Sequence, residues 1–248
     1  MDAHWRPCHL LWTLNYLKVY PTFDAISVQI GFNHITVKKW ILYTVVELLS
    51  NLEMVRLMAT FFSTLTTTQI DFDNRKLKCI AGQTAFVTLD GVDFSTHEHY
   101  PFDDSLYSHK LNGPGIRYDV ALCINTGDIV FWGGGFKAGV YPDLVIARKG
   151  ICLLLEPYEK ILADKGYEDA RYFIYPATER GDNALLKNIS GRHENINARL
   201  KCWGVLRQKF RGTLSYHYDY FSAIIQMEQF KLKHGNKMQK ISLHAYNI

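Results

Sequence analysis

The stretch Thr88-Leu89-Asp90-Gly91-Val92-Asp93 holds an aspartate directly after an apolar run. That run, Phe86 to Leu89, predicts a strand with Asp90 at its end. A second stretch, Leu162-Ala163-Asp164-Lys165-Gly166-Tyr167, repeats the pattern of apolar residues followed by an aspartate. A third, Arg192-His193-Glu194-Asn195, lies near the start of a predicted helix. Carboxylates in such places can meet at one edge of a sheet.

Three converging carboxylates predict a site for divalent metal ions. Mg²⁺ prefers carboxylate and water oxygens, and a pair of ions about 3.5–4 Å apart activates water and neutralises the leaving oxygen of a phosphodiester. We therefore predict that Asp90, Asp164 and Glu194 are catalytic metal ligands for two Mg²⁺ or Mn²⁺ ions. Taken singly, each acid is equally well a solvated carboxylate or a turn residue, as Asp-Gly often is.

The bulk composition is that of a soluble globular protein. The 248 residues are 48% hydrophobic and 21% charged, which allows one large domain or one domain with an appendage. A net charge of +4 and a pI of 8.7 suit a polyanionic partner without establishing one. The five cysteines form no C-x-x-C pair, and no apolar run approaches the ~18 residues of a membrane span, so neither a disulfide framework nor a membrane is expected.

Residues 1–60 predict a small all-helical module. Residues 8 to 20 have helical spacing that Pro21 stops, and a second helix runs from Asp24 to Gly31-Phe32-Asn33, where glycine and asparagine supply the turn and its left-handed conformation. Thr36 opens a third helix. This outline is that of a helix-turn-helix, in which Lys38 and Lys39 would face phosphate. A three-helix packing module with solvated lysines is the alternative. Because the chain starts abruptly within this module, a truncated module is one interpretation.

Residues 61–82 are polar and are interpreted as a linker, and residues 83–248 as one α/β domain. Asn125-Thr126-Gly127-Asp128 predicts a hairpin turn between two strands, with Gly127 at positive φ. A helix from Asp143, strands at Lys160 to Ala163 and Arg171 to Tyr175, and a long helix from about His193 follow. The order strand, hairpin, helix, strand, strand, helix is that of a ribonuclease H-like mixed sheet with flanking helices.

Five stretches in this order resemble the DDE-type transposases, the DDE superfamily endonucleases with Harbinger-like and insertion-sequence relatives. They begin at Leu89, Tyr100, Gly139, Leu162 and Arg192, and the resemblance covers roughly residues 84 to 232. The three acids are 74 (164 − 90) and 30 (194 − 164) residues apart, as the family implies. Lys201 is similar to the lysine that follows the family's glutamate on the same helix.

The resemblance implies a DNA endonuclease that cuts transposon ends and joins them to target DNA. Asp90 would bridge both ions, Asp164 would bind one and Glu194 the other, while Arg199 and Lys201 would contact DNA. A homo-oligomer is expected, with room for a separate DNA-binding partner protein. The expected location is the nucleus in a eukaryotic cell and the cytoplasm otherwise.

Other interpretations stay open at this point. A domesticated or inactive transposase would keep the fold and bind DNA or a partner without cutting, and a ribonuclease H relative would cut RNA by the same chemistry. Asp143 is equally well a helix N-cap or a support of the active site. Asp93 is expected at an exposed strand end, with a place in the lining of the site as the alternative. His193-Glu194 lacks the second histidine of H-E-x-x-H, which argues against a metalloprotease.

Overall fold

The computed structural model describes residues 5–57, 72, 75, 84–98, 100–174, 182–235 and 237–238. The helices in these ranges are α1 (Pro7–Val19), α2 (Phe23–Ile30), α3 (His34–Leu57), α4 (Asp143–Lys149), α5 (Asp182–Lys201), α6 (Gly204–Arg207) and α7 (Leu214–His234). The strands are β1 (Ala85–Ser95), β2 (Tyr107–Ser108), β3 (Gly113–Cys123), β4 (Ile129–Lys137), β5 (Lys160–Leu162) and β6 (Phe173–Ile174). Within the described ranges, no helix combines the length and the apolar character needed to cross a membrane.

The chain divides into two compact units. The first contains Met1–Ser63 and Arg199–Glu228, and the second contains Thr64–Ala198 and Gln229–Ile248. Residues 199–228 were predicted to belong to the sheet domain, whereas their apolar side chains pack with those of the N-terminal helices. The predicted linker, 61–82, lies outside the described residues apart from Phe72 and Arg75. Phe72 is fully buried in the core of the second unit, and Arg75 forms a buried ion pair with Glu159.

Local signals at the helix ends explain the three N-terminal helices. At the end of α1, Tyr20 takes a left-handed conformation just before Pro21. The side chain of Thr22 caps α2 by accepting a hydrogen bond from the backbone of Ala25, and Gly31 ends it at φ 72°. The predicted left-handed Gly31 is thus confirmed. Helix α3 begins at His34 rather than at Thr36, because the side chain of Asn33 accepts the backbone N–H of Ile35 at 2.8 Å.

Aromatic rings form the core of the first unit. The centroid of the Tyr16 ring lies 4.8 Å from that of Phe23 and 5.9 Å from that of Tyr220. The Phe210 ring in turn lies 6.1 Å from that of Tyr20. The contacts of Tyr220 and Phe210 join residues about 200 positions apart in sequence, and they account for the membership of residues 199–228 in this unit.

The second unit contains one mixed sheet of six strands. The strand order is β2-β3-β1-β5-β6, and β4 pairs with β3. Strand β3 runs antiparallel to both β1 and β4, while β5 and β6 run parallel to β1. Gly127 has φ 73° in the turn between β3 and β4, as predicted for that turn. The chain is therefore an α/β protein with a mixed sheet and N-terminal helices.

Strand β1 is longer than its parallel neighbour. Its pairing with β5 ends at Thr88 and Leu162, whereas its pairing with β3 continues to Ser95 and Gly115. Beyond Thr88, β1 has a strand on only one side among the described residues. Asp90 is consequently inside β1 rather than at its end, and the predicted strand end at this position was wrong.

Helix α5 begins eleven residues before the predicted start at His193, so Glu194 lies well inside the helix. Gly191 and Ser190 are weak helix formers, which hid this part of the helix in the sequence. Packing compensates for the weak propensity: Ile189 is buried against Ala85, Ile124 and Leu162.

Candidate active site

Asp90, inside β1, and Asp164, just after β5, lie at corresponding positions beyond the parallel pairing of the two strands. The last paired residues of β1 and β5 are Thr88 and Leu162, and the two aspartates each follow two residues later. Burial raises the pKa of Asp90 above its ordinary value; the charge of Lys110 opposes this shift, and the charges of Asp164 and Asp143 add to it. The carboxylates of Asp90 and Asp164 therefore act on each other electrostatically.

Helix α5 is attached to β1 beside Asp90. The ring Nε2 of His193 lies 2.9 Å from the hydroxyl of Thr88, and the side-chain amide of Asn197 donates to Oδ2 of Asp90 at 3.5 Å. Burial lowers the pKa of His193 to about 3, so its ring is neutral at physiological pH. Glu194 follows His193 directly and is exposed. These contacts fix the helix turn that carries Glu194 next to the strand that carries Asp90.

The three predicted carboxylates line a single cavity of about 230 Å³. Its other lining residues are Leu89, Leu162, Ala163, Ile189, Ser190 and His193. The cavity thus has apolar residues near the point where the pairing of β1 with β5 ends, and carboxylates at the positions just beyond it. Every lining residue belongs to the second unit.

The oxygen donors of this cavity fit Mg²⁺ or Mn²⁺, although the carboxylates lie farther apart than in an assembled metal site. Three carboxylates supply the hard oxygen ligands that these ions prefer. Among the described residues, however, no group of three His, Cys, Asp or Glu side chains stands close enough together to hold a metal ion. Carboxylates that share a cavity repel one another, and a divalent cation would cancel that repulsion.

Asp143 lies beneath Gly91, the residue after Asp90, and is not a helix N-cap. Pro142 occupies the N-cap position of α4, and Asp143 is the first helical residue. Its carboxylate pairs with Lys110 at 3.0 Å and with Arg117 at 3.1 Å. A Cβ added at Gly91 would lie 2.4 Å from Oδ1 of Asp143. Because Gly91 has no side chain, the carboxylate of Asp143 can occupy the space beside it.

Asp93 is buried, so its predicted exposed position at a strand end was wrong. Its carboxylate accepts two hydrogen bonds from the guanidinium of Arg117, both at 2.7 Å, and one from the hydroxyl of Ser108. Burial alone would raise the pKa of Asp93, but these hydrogen bonds outweigh burial and lower it. The aspartate is a structural anchor for Arg117, which in turn holds Asp143.

Asp119 is an acidic residue that the sequence analysis missed. It lies on β3 opposite Gly91, is 1% exposed, and accepts a hydrogen bond from the hydroxyl of Tyr167 at 3.3 Å. Burial, followed by the charge of Asp143, raises its pKa well above the ordinary value. Its position two residues after Arg117 on one strand puts both side chains on the same face, which is the signal that the sequence offered.

The four cations predicted to bind DNA all lie in the first unit. Lys38 and Lys39 are exposed in the first two turns of α3. Arg199 and Lys201 lie in the last turn of α5, where basic side chains also stabilise the negative end of the helix dipole. The first unit contains ten Lys and Arg against six Asp and Glu, a net +4, whereas the second balances eighteen against eighteen. The positive charge and the carboxylates thus belong to different units.

Comparison of the chain with protein-family models, with curated proteins and with solved structures finds no match.

We expect Gly91→Ala to destabilise the second unit by about 1–3 kcal/mol, because the new methyl group would overlap a carboxylate held by two ion pairs. Urea denaturation measures this change. Gly113→Ala is the matched control in the same sheet, since a Cβ there meets no atom within 4 Å, and its effect should stay within about 0.5 kcal/mol. In an Asp143→Ala background the cost of Gly91→Ala should shrink; an undiminished cost would show that Asp143 is not the obstacle.

Proposed function

We propose that the chain is a metal-dependent DNA endonuclease of the DDE-transposase type, which hydrolyses phosphodiester bonds at transposon ends and joins those ends to target DNA. One observation carries the proposal: Asp90, Asp164 and Glu194 come from three separate elements and line one cavity. Packing alone would not favour three carboxylates around one cavity, because carboxylates that share a cavity repel one another.

The architecture of the second unit supports a ribonuclease H-like fold. Its elements follow the order strand, hairpin, helix, strand, strand and helix. The first strands are antiparallel, and those that follow α4 are parallel to β1. Such a sheet puts the residues after β5 beside the middle of β1, where the proposed chemistry would occur.

In the proposed site, Asp90, Asp164 and Glu194 hold two Mg²⁺ or Mn²⁺ ions. When bound, such ions make water a better nucleophile and neutralise the leaving 3′-oxygen. The chain itself orients the ligands: Asn197 donates to Asp90, and the His193–Thr88 contact fixes the turn of α5 that carries Glu194. At Asp164, Oδ1 accepts the backbone N–H of Gly166 at 2.9 Å, which fixes that carboxylate relative to the end of β5.

The first unit would bind the DNA. Its net charge of +4 is the charge of the whole chain, and phosphate contacts by Lys and Arg supply most of the non-specific affinity for DNA. Helices α2 and α3 join through Gly31, and the first turn of α3 exposes His34, Ile35 and Thr36 as well as Lys38. In a helix-turn-helix those positions of the second helix enter the major groove.

A second candidate function is that of a DNA-binding or partner-binding protein derived from a transposase. The wide spacing of the carboxylates favours it, since no metal-binding group is assembled among the described residues. Under this alternative the first unit would bind DNA as before, and the acidic cavity would not catalyse phosphodiester cleavage.

We expect the purified protein to nick supercoiled plasmid DNA with Mg²⁺ or Mn²⁺, and Asp164→Asn to reduce the rate on the order of 100-fold or more, because it removes a ligand charge. The asparagine keeps an oxygen for the backbone N–H of Gly166, so the turn is preserved. Gel electrophoresis of the nicked and supercoiled forms measures the rate. A chelator should abolish nicking.

Glu168→Gln is the matched control, since it also removes one exposed carboxylate from the same loop region. It should nick at the wild-type rate. A wild-type protein that binds DNA yet never nicks it with either metal would refute the endonuclease and leave the binding protein as the function.

We expect Lys38→Ala combined with Lys39→Ala to weaken DNA binding and to lower the slope of log affinity against log salt by roughly 2, one for each lost phosphate contact. Fluorescence anisotropy with a labelled duplex at several salt concentrations measures both quantities. Lys231→Ala with Lys233→Ala changes the net charge equally, on exposed residues of the second unit. An equal loss in both pairs would show that net charge, rather than α3, governs binding.

A further inference from the structure

One cation of the second unit, Lys110, lies beside the candidate active site without a role in the function proposed so far. It follows β2 in the loop that leads into β3. Its ammonium donates to the backbone carbonyl of Gly91 at 3.1 Å and to Oδ2 of Asp143 at 3.0 Å. The side chain remains 46% exposed.

The register of β1 explains why the carbonyl of Gly91 accepts this contact. The carbonyl of Phe86 accepts the N–H of Ile124, the residue after β3, and the N–H of Thr96 donates to the carbonyl of Pro114 in β3. The backbone groups of even-numbered residues of β1 therefore point toward β3, and those of odd-numbered residues point away from it. On the far side, β5 ends at Leu162, opposite Thr88. The carbonyl of Gly91 therefore projects from the open edge of β1, and the ammonium of Lys110 lies on that edge, next to Asp90.

A series of ion pairs holds the ammonium of Lys110 in place. Its partner Asp143 is also held by Arg117 at 3.1 Å, and Arg117 is held by Asp93 at 2.7 Å. Of all charged groups, Lys110 has the largest effect on the pKa of Asp90, which it lowers against the effect of burial. A chain of ion pairs thus fixes a positive charge near Asp90, which is one of the residues that line the acidic cavity.

An ammonium group has three N–H donors. Two of those of Lys110 are used, by Gly91 and by Asp143. Among the described residues the third N–H has no partner, so it and the exposed part of the side chain are available to a ligand that approaches the edge of β1. An anionic ligand is favoured there only if a cation offsets the carboxylates around it.

We propose that Lys110 binds a non-bridging oxygen of the DNA phosphate that enters the candidate active site. This inference rests on the proposed endonuclease function and adds a residue that contacts the substrate. A phosphodiester that approaches three carboxylates is repelled by them, and one charge-assisted hydrogen bond at a fixed position opposes that repulsion. The contact becomes stronger as negative charge builds up on the phosphate during in-line attack.

The test compares Lys110→Met with Lys137→Met in the plasmid-nicking assay. Lys137 is a matched control, because its ammonium pairs with Asp103 at 2.8 Å and its side chain is also 46% exposed. We expect Lys110→Met to slow nicking on the order of 100-fold, and Lys137→Met to leave the rate unchanged. Lys110→Arg should restore most of the rate, since it returns a cation to the site.

A purely structural role predicts a different pattern. If Lys110 only held Asp143 in place, Asp143→Asn would reproduce the defect of Lys110→Met, and both would lower the urea midpoint by more than Lys137→Met. If Lys110→Met nicks plasmid at the wild-type rate while Asp164→Asn does not nick it, the Lys110 contact is overturned and the proposed endonuclease stands.

A second measurement does not depend on turnover. Growth of the protein on ¹³Cε,¹⁵Nζ-labelled lysine labels each side chain and keeps every N–H donor, and the signal lost in Lys110→Arg identifies Lys110. On addition of a DNA duplex in Ca²⁺, the signal of Lys110 should shift and that of Lys137 should not. If the signals of Lys38 and Lys39 move while that of Lys110 stays in place, the contact is refuted, whether or not the protein nicks DNA.

Discussion

The parallel pairing of β1 with β5 is the constraint on which the candidate site depends. It lasts from Ala85 to Thr88 on β1 and stops at Leu162 on β5, while β1 continues to Ser95 against β3. This early stop lets Asp90 and Asp164 line the same cavity. It also leaves the carbonyl of Gly91 on an open edge, where it accepts a hydrogen bond from the ammonium of Lys110 instead of from a neighbouring strand. One mismatch in strand length thus creates both the acidic and the cationic part of the site.

The alternation of side chains along β1 separates two sets of polar contacts. Thr88 and Asp90 face α5, where they meet His193 and Asn197. Gly91 and Asp93 face the other side, where they meet Asp143 and Arg117. The first set is suited to bind ligands, because Asp90 lines a cavity with two other acids. The second set is largely buried and is paired through the guanidinium of Arg117, and it holds the strand rigid beneath that cavity.

The sequence predicted those features that arise from local signals. The turn at Gly127, the left-handed Gly31 and the apolar runs before Asp90 and Asp164 all follow from short-range chemistry. The sequence did not predict the features that depend on packing between distant residues. Helix α5 extends back to Asp182 because Ile189 is buried, residues 199–228 join the first unit through the Phe210 ring, and Asp143 occupies space that Gly91 leaves. Asp119 and Lys110 gain their importance from strand register, which no single stretch of sequence displays.

The most direct test of the account is a crystal structure of the wild-type protein grown in Mn²⁺, with anomalous diffraction used to locate the ions. The account predicts two Mn²⁺ peaks coordinated by the carboxylates of Asp90, Asp164 and Glu194, which would have moved together around them. Carboxylates that stay apart at saturating Mn²⁺, with no anomalous peak between them, would contradict the proposed metal site and the endonuclease that rests on it.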